Sequence, residues 1–217
     1  MNIATYIDHT ILKPDTTSGD VKRICDEAIK YSFAAVCVPP YYCKFAKQYI
    51  TGSKVKLATV IGFPFGYNSL EAKLHEIENA ITDGVDELDM VHNIAALKNS
   101  DWGYLQKEVR TCTEAVHHKG KQIKIIVESG ILTDEELVNV CKLYAPLSID
   151  FMKTSTGYAS IGATTHAVQL MRLHLPEEIC IKASGGIRTF TFAKELIAAG
   201  ATRLGCSTSV DIVNATN

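Results

Sequence analysis

No run of this sequence approaches the ~20 consecutive apolar residues that a membrane-crossing helix needs. An excess of one charge is missing as well. Lys and Arg number 22 against 24 Asp and Glu, a formal net charge of −2, and no basic patch or acidic tail stands out. Nucleic acid and anionic membranes are therefore not expected partners. The start, Met1-Asn2-Ile3-Ala4-Thr5-Tyr6, lacks the cationic segment and apolar stretch of a secretory signal. No Cys-x-x-Cys occurs, and the seven cysteines form an odd set scattered through apolar patterns. That reads as reduced thiols in a cytoplasmic protein rather than a disulfide framework. No triad of residues falls at metal-ligand spacing, so neither a metal nor another cofactor is expected. Nor does a Gly-x-Gly-x-x-Gly follow the first strand-like run, which argues against a dinucleotide fold.

What is present is a regular alternation. Strand-like runs fall at residues 6–12, 34–39, 56–63, 87–91, 123–128, 150–154, 179–183 and 203–206, most of them short and rich in Val, Ile, Leu or Met. Near-continuous apolar strands suit a parallel sheet covered on both faces. Between them the 3.6-residue period recurs, as in Val21, Ile24, Cys25, Ala28 and Ile29, or Trp102, Leu105, Val109, Cys112 and Val116. Thr17-x-x-Asp20 and Thr133-x-x-Glu136 have the form of capping boxes. Eight strands alternating with helices predict an α/β fold, a (β/α)₈ TIM barrel, as a single domain over residues 1–217. An open doubly wound sheet is the rival.

Barrel active sites form at the C-terminal ends of the strands. Asp8, Asp89, Asn93, Glu128, Lys153, Thr154, Ser155 and Lys182 lie at those ends. Singly, each has a duller explanation: a snorkelling lysine, a helix-capping aspartate. Jointly they do not. Lys153 and Lys182 each close a short apolar run and lead into small polar residues, on strands expected to be adjacent, with Asp89 facing them across the mouth. A free lysine, with a pKa of ~10.4, is charged at neutral pH and cannot attack a carbonyl. Two ammonium groups ~6 Å apart at an effective dielectric of ~20 repel by roughly 3 kcal/mol, or about two pKa units. Partial burial pushes the same way. One lysine can thus be neutral while the other holds the charge, and charge alone does not say which. The resulting imine chemistry supports aldol cleavage or addition, with Asp89 moving protons. Asp86 and Glu87 are expected in a loop and on the outward strand face.

Ser184-Gly185-Gly186 follows the seventh strand and Gly205-Cys206-Ser207-Thr208 the eighth. Loops after these strands commonly bind phosphate in barrels, and Gly157 could add a third side. Cys206 reads as a small packing residue.

The segments Phe151-Met152-Lys153-Thr154-Ser155-Thr156-Gly157, Ile181-Lys182-Ala183-Ser184-Gly185-Gly186-Ile187-Arg188-Thr189 and Glu87-Leu88-Asp89-Met90-Val91 resemble the deoxyribose-phosphate aldolase family. Supporting segments are Ile7-Asp8-His9-Thr10-x-Leu12-Lys13-Pro14, Val36-Cys37-Val38-Pro39-Pro40 and Val60-Ile61-Gly62-Phe63-Pro64. The resemblance implies a cofactor-free class I aldolase that interconverts 2-deoxy-D-ribose 5-phosphate with D-glyceraldehyde 3-phosphate and acetaldehyde, in deoxynucleoside breakdown. It assigns the Schiff base to Lys153, the neighbouring charge to Lys182 and proton relay to Asp89. Thr154, Gly157, Gly185, Gly186, Gly205, Ser207 and Thr208 match substrate- and phosphate-binding positions, with Asp8 and Asn93 as supporting residues. A homo-oligomer is also implied. Tyr158, Ser209 and His92 depart from the family's usual residues. Two other readings stand beside it: a class I aldolase for a different phosphorylated sugar, and a non-catalytic phosphosugar-binding barrel.

Overall fold

The computed structural model describes residues 2–215. Eight parallel strands close into a barrel in strict chain order, β1 to β8, with β8 pairing back onto β1. The strands are β1 (Ile7–Thr10), β2 (Ala35–Val38), β3 (Lys56–Ile61), β4 (Glu87–Val91), β5 (Gln122–Ile126), β6 (Phe151–Lys153), β7 (Cys180–Ser184) and β8 (Arg203–Cys206). The helices are α1 (Ser18–Tyr31), α2 (Cys43–Ile50), α3 (Leu70–Thr82), α4 (Ile94–Lys98), α5 (Trp102–His117), α6 (Asp134–Tyr144), α7 (Thr165–His174), α8 (Phe190–Ala198) and α9 (Ser209–Asn214). The closed ring replaces the rival open sheet.

Local chemistry accounts for the boundaries. Both capping boxes form: Thr17 and Asp20 satisfy each other's backbone donors at the start of α1, and Thr133 and Glu136 do so at α6. Several strands are shorter than the apolar runs that encode them. β6 is three residues: the Thr154 amide still makes the ladder bond to the Lys182 carbonyl, but the Thr154 carbonyl accepts from the Ser129 amide in the turn after β5. β2 stops at Val38, where Pro39 and Pro40 supply no ladder donor.

Two hydrophobic layers result. The large one lies between sheet and helices and takes the outward strand residues, among them Val36, Leu88, Ile125, Met152 and Ile181. The small one is inside the ring and consists of Ala35, Cys37, Ala58 and Val60 with Leu12 and Phe63 beside them. It lines the β2–β3 side. The other strands send charge inward. Glu87 belongs to this set: it is buried and pairs with Lys124 and Arg203, so the expected outward placement is wrong. Strand alternation requires this, since Glu87 and Asp89 are two residues apart and share a face.

Candidate active site

The inward side chains of β1 and β4–β8 form one ion network. Among the described residues it contains three carboxylates, Asp8, Glu87 and Asp89, and four cations, Lys124, Lys153, Lys182 and Arg203. Register brings them together: Asp89 pairs in line with Lys124, Lys153 with Lys182, and Lys182 with Arg203. Lys124 donates to Asp89 at 2.8 Å and lies 2.6 Å from Glu87. Arg203 bridges Asp8 at 2.7 Å and Glu87 at 2.9 Å, and its guanidinium stacks over Phe151. Lys182 donates to Asp8 in a short contact and to Asp89 at 2.7 Å. Lys153 donates to the same Asp89 oxygen, Oδ2, at 2.8 Å. Space for this crowding comes from Gly205, where a Cβ would sit 2.9 Å from that of Ser184 and 3.2 Å from Cε of Lys182.

The two lysines are not equivalent. Lys153 lines a cavity of about 450 Å³ at the C-terminal end of the barrel, whereas Lys182 is fully buried and outside the lining. Lys182 is held by two carboxylates; Lys153 meets one, Asp89, among the described residues. Burial depresses the pKa of both. For Lys153 burial prevails, the Lys182 charge adds to it, and Asp89 only partly opposes, so its pKa falls below the usual 10.5. For Lys182 the attraction of Asp8 and Asp89 outweighs burial and its pKa rises. Burial would raise Asp8 and Asp89, but for Asp8 the charges of Lys182, Arg203 and Lys124, and for Asp89 those of Lys124, Lys153 and Lys182, hold both below the ordinary carboxylate range. With Lys153 unprotonated, three cations face three carboxylates and the dry interior is neutral.

The cavity wall is built from the loops after β6, β7, β8 and β1, which are consecutive around the ring. Thr156, Gly157, Tyr158, Gly185, Gly186, Gly205 and Ser207 line it. Gly185 is in the left-handed region (φ +88°) and packs against Gly162, whose own Cβ would meet the Gly185 carbonyl at 2.3 Å. Two expected contacts are absent from the lining. Thr154 is buried beneath it, its hydroxyl donating to the Ser184 carbonyl (3.2 Å) and accepting from the Ser184 amide (3.0 Å), a clamp between the ends of β6 and β7. Thr208 turns its hydroxyl to the Ile187 carbonyl at 3.4 Å. Asn93 does not line the cavity either. Its side chain caps α4 by accepting from the Ala96 amide, as a strand-end Asn commonly does.

Sequence reasoning passed over Lys124 and Arg203, and gave Lys13 and Arg188, though both stand in the motifs of the resemblance, no role in the site. The first two are in the network and the last two line the cavity. The available signal for Lys124 was its place at the centre of Gln122-Ile123-Lys124-Ile125-Ile126, where alternation points it inward. Cys206 is indeed a packing residue: it is buried, and burial pushes its thiol up to about 12.

A parallel barrel whose cavity floor is a buried lysine with a lowered pKa, beside a carboxylate and a retained cation, defines a carbonyl-condensing enzyme of the Schiff-base class. The sequence model described as DeoC/LacD family aldolase matches residues 2–212. A deoxyribose-phosphate aldolase of Thermococcus gammatolerans is 48% identical over 215 residues, covering 98% of this chain and 96% of that protein. One from Lactococcus lactis subsp. lactis is 46% identical over 214 residues, 98% and 96% of the two chains. The solved tetrameric deoxyribose phosphate aldolase of Aeropyrum pernix superposes with a TM-score of 0.92 at 30% identity, over 99% of this chain and 90% of that one. The chain belongs to the DeoC/LacD family of aldolases.

Proposed function

We propose that this chain is a 2-deoxyribose-5-phosphate aldolase, working through a Schiff base on Lys153. One observation carries the assignment of the nucleophile: of the two paired lysines, the one with the lowered pKa is the one that lines the cavity. The neutral Nζ of Lys153 adds to the open-chain aldehyde of the sugar, giving a carbinolamine that loses water to form the iminium. Removal of the proton from the C3 hydroxyl breaks the C2–C3 bond and releases glyceraldehyde 3-phosphate. The electron pair passes to the iminium and leaves an enamine. Protonation of its terminal carbon and hydrolysis give acetaldehyde and restore the free amine.

Asp89 touches Lys153 and is the carboxylate placed to shuttle these protons, directly or through water. Lys182, held charged by Asp8 and Asp89, favours the neutral form of its neighbour and accommodates Asp89 as an anion. The amides and hydroxyl of Gly157, Gly185, Gly186, Gly205 and Ser207 support a phosphate site, since glycine loops bring backbone N–H groups close to an anion.

The tetramer of the Aeropyrum pernix relative supports a homo-oligomer. Six free cysteines buried and one half-buried support a reducing, cytoplasmic setting, and none of the described helices is long and apolar enough to cross a membrane. Acetaldehyde release from a panel of sugar phosphates tests the substrate. Turnover of 2-deoxyribose 5-phosphate well above the others is expected; preference for another sugar would reassign the enzyme within its class.

A further inference from the structure

Two cations line the cavity without a role in the chemistry above, Lys13 from the loop after β1 and Arg188 from the loop after β7. No Asp or Glu among the described residues lines that cavity, and neither cation makes an ion pair there. Arg188 extends the glycine loop of β7. Lys13 comes from the far end of the arc, on an exposed turn, and its charge also acts on Asp20 of α1.

The backbone that carries Lys13 is fixed from two directions. The Lys13 carbonyl accepts from the Thr16 amide at 3.2 Å and the Thr16 hydroxyl at 2.7 Å. The adjoining Leu12 carbonyl accepts from the Tyr158 hydroxyl at 2.8 Å. Tyr158 in turn is held: its ring meets Phe63 edge-on, with centroids 5.4 Å apart, and its amide donates to the Thr156 hydroxyl at 3.0 Å. That hydroxyl donates to the buried Glu128 in a short contact, and the Thr156 amide donates to the same carboxylate at 3.2 Å. A continuous chain thus runs from the end of β5, through the loop after β6, to the loop after β1. It crosses the mouth of the cavity.

We propose that Lys13 is the residue that selects phosphorylated over unphosphorylated substrate, and that Tyr158 is its positioning residue. The inference rests on the phosphate site proposed above. A phosphomonoester carries close to two negative charges at neutral pH, more than amide dipoles alone neutralise. A lysine supplies a mobile point charge, and the Tyr158–Leu12 bond limits where it can go.

The test compares Lys13→Met, Lys13→Arg and Tyr158→Phe on 2-deoxyribose 5-phosphate and on 2-deoxyribose, with inorganic phosphate as a competing ligand. Lys13→Met is expected to raise KM for the phosphorylated sugar about tenfold, the scale of one charged hydrogen bond, with a far smaller effect on kcat. Inhibition by inorganic phosphate should weaken by the same factor, and the change on the unphosphorylated sugar should be several-fold smaller. Lys13→Arg should restore most of the loss, and Tyr158→Phe should fall between. Equal losses on both sugars, or an unchanged phosphate inhibition, would overturn the proposal. If the wild-type chain did not cleave 2-deoxyribose 5-phosphate, the substrate assignment would fail, while calorimetric titration with inorganic phosphate would still decide whether Lys13 reads that charge.

Discussion

Lys153 and Lys182 differ by what surrounds them rather than by what they are. Burial is the first cause of the lowered pKa of Lys153, with repulsion from Lys182 second, which reverses the emphasis that spacing alone suggests. Lys182→Leu should therefore shift the pH at which the imine forms upward by about one to two units, the scale of one removed neighbouring charge. The pH profile of borohydride trapping with acetaldehyde measures it. Asp89→Asn should lower kcat by a factor of about 10² or more, because both lysines lose their shared anion and the proton shuttle goes with it. The lysine pair and Asp89 were legible because an ionisable residue ending an apolar run is conspicuous. Lys124, Arg203 and the orientation of Glu87 were not. A charged residue within or beginning a strand looks like solvated surface until ring closure shows that the inward face is dry and that opposite charges arrive from strands over a hundred residues apart.

At the scale of elements, a second buried ion pair does for the barrel wall what the network does for its floor. Lys73 of α3 and Glu108 of α5 are fully buried, 2.7 Å apart. Lys73 also donates to the Val91 carbonyl at the end of β4, and Glu108 accepts from the Asn93 amide at 2.9 Å. The pair therefore ties two helices to the strand that carries Asp89. Lys73→Met should cost about 3–5 kcal/mol, since it strands a buried carboxylate. Denaturant unfolding measures that loss, and a change within ±0.5 kcal/mol would contradict it. Helix starts were readable because a capping box is a local arrangement of two side chains. Strand ends were less so: Thr154 directly follows the apolar run in sequence, yet its carbonyl bonds the Ser129 amide in the turn after β5.

His92 shows how the whole molecule responds to acid. It is buried, its Nδ1 shares a 2.9 Å hydrogen bond with the Tyr144 hydroxyl, and burial followed by the Lys73 charge lowers its pKa to about 3. A histidine whose folded pKa is depressed contributes stability that is complete above its unfolded value, ~6.5, and is lost as pH falls toward the folded value. His92→Gln should flatten the loss of stability between pH 6.5 and 3 by up to ~1.4 kcal/mol per pH unit relative to wild type. Asp8 and Asp89 act in the same direction at lower pH, their contribution being lost as pH falls below the unfolded carboxylate range near ~4. Thermal unfolding across this range measures both. The barrel itself was legible from eight apolar runs and the helical periods between them. Its division into a charged half and a small apolar half was not, because that depends on which strand lies opposite which.

The central claim is that the interior is neutral only when Lys153 has given up its proton. Borohydride reduction with acetaldehyde across pH, with the modified residue located by mass spectrometry, tests it most directly. The adduct should appear on Lys153 with a midpoint below 10.5. An adduct on Lys182, or a midpoint at or above the value of a free lysine, would contradict it.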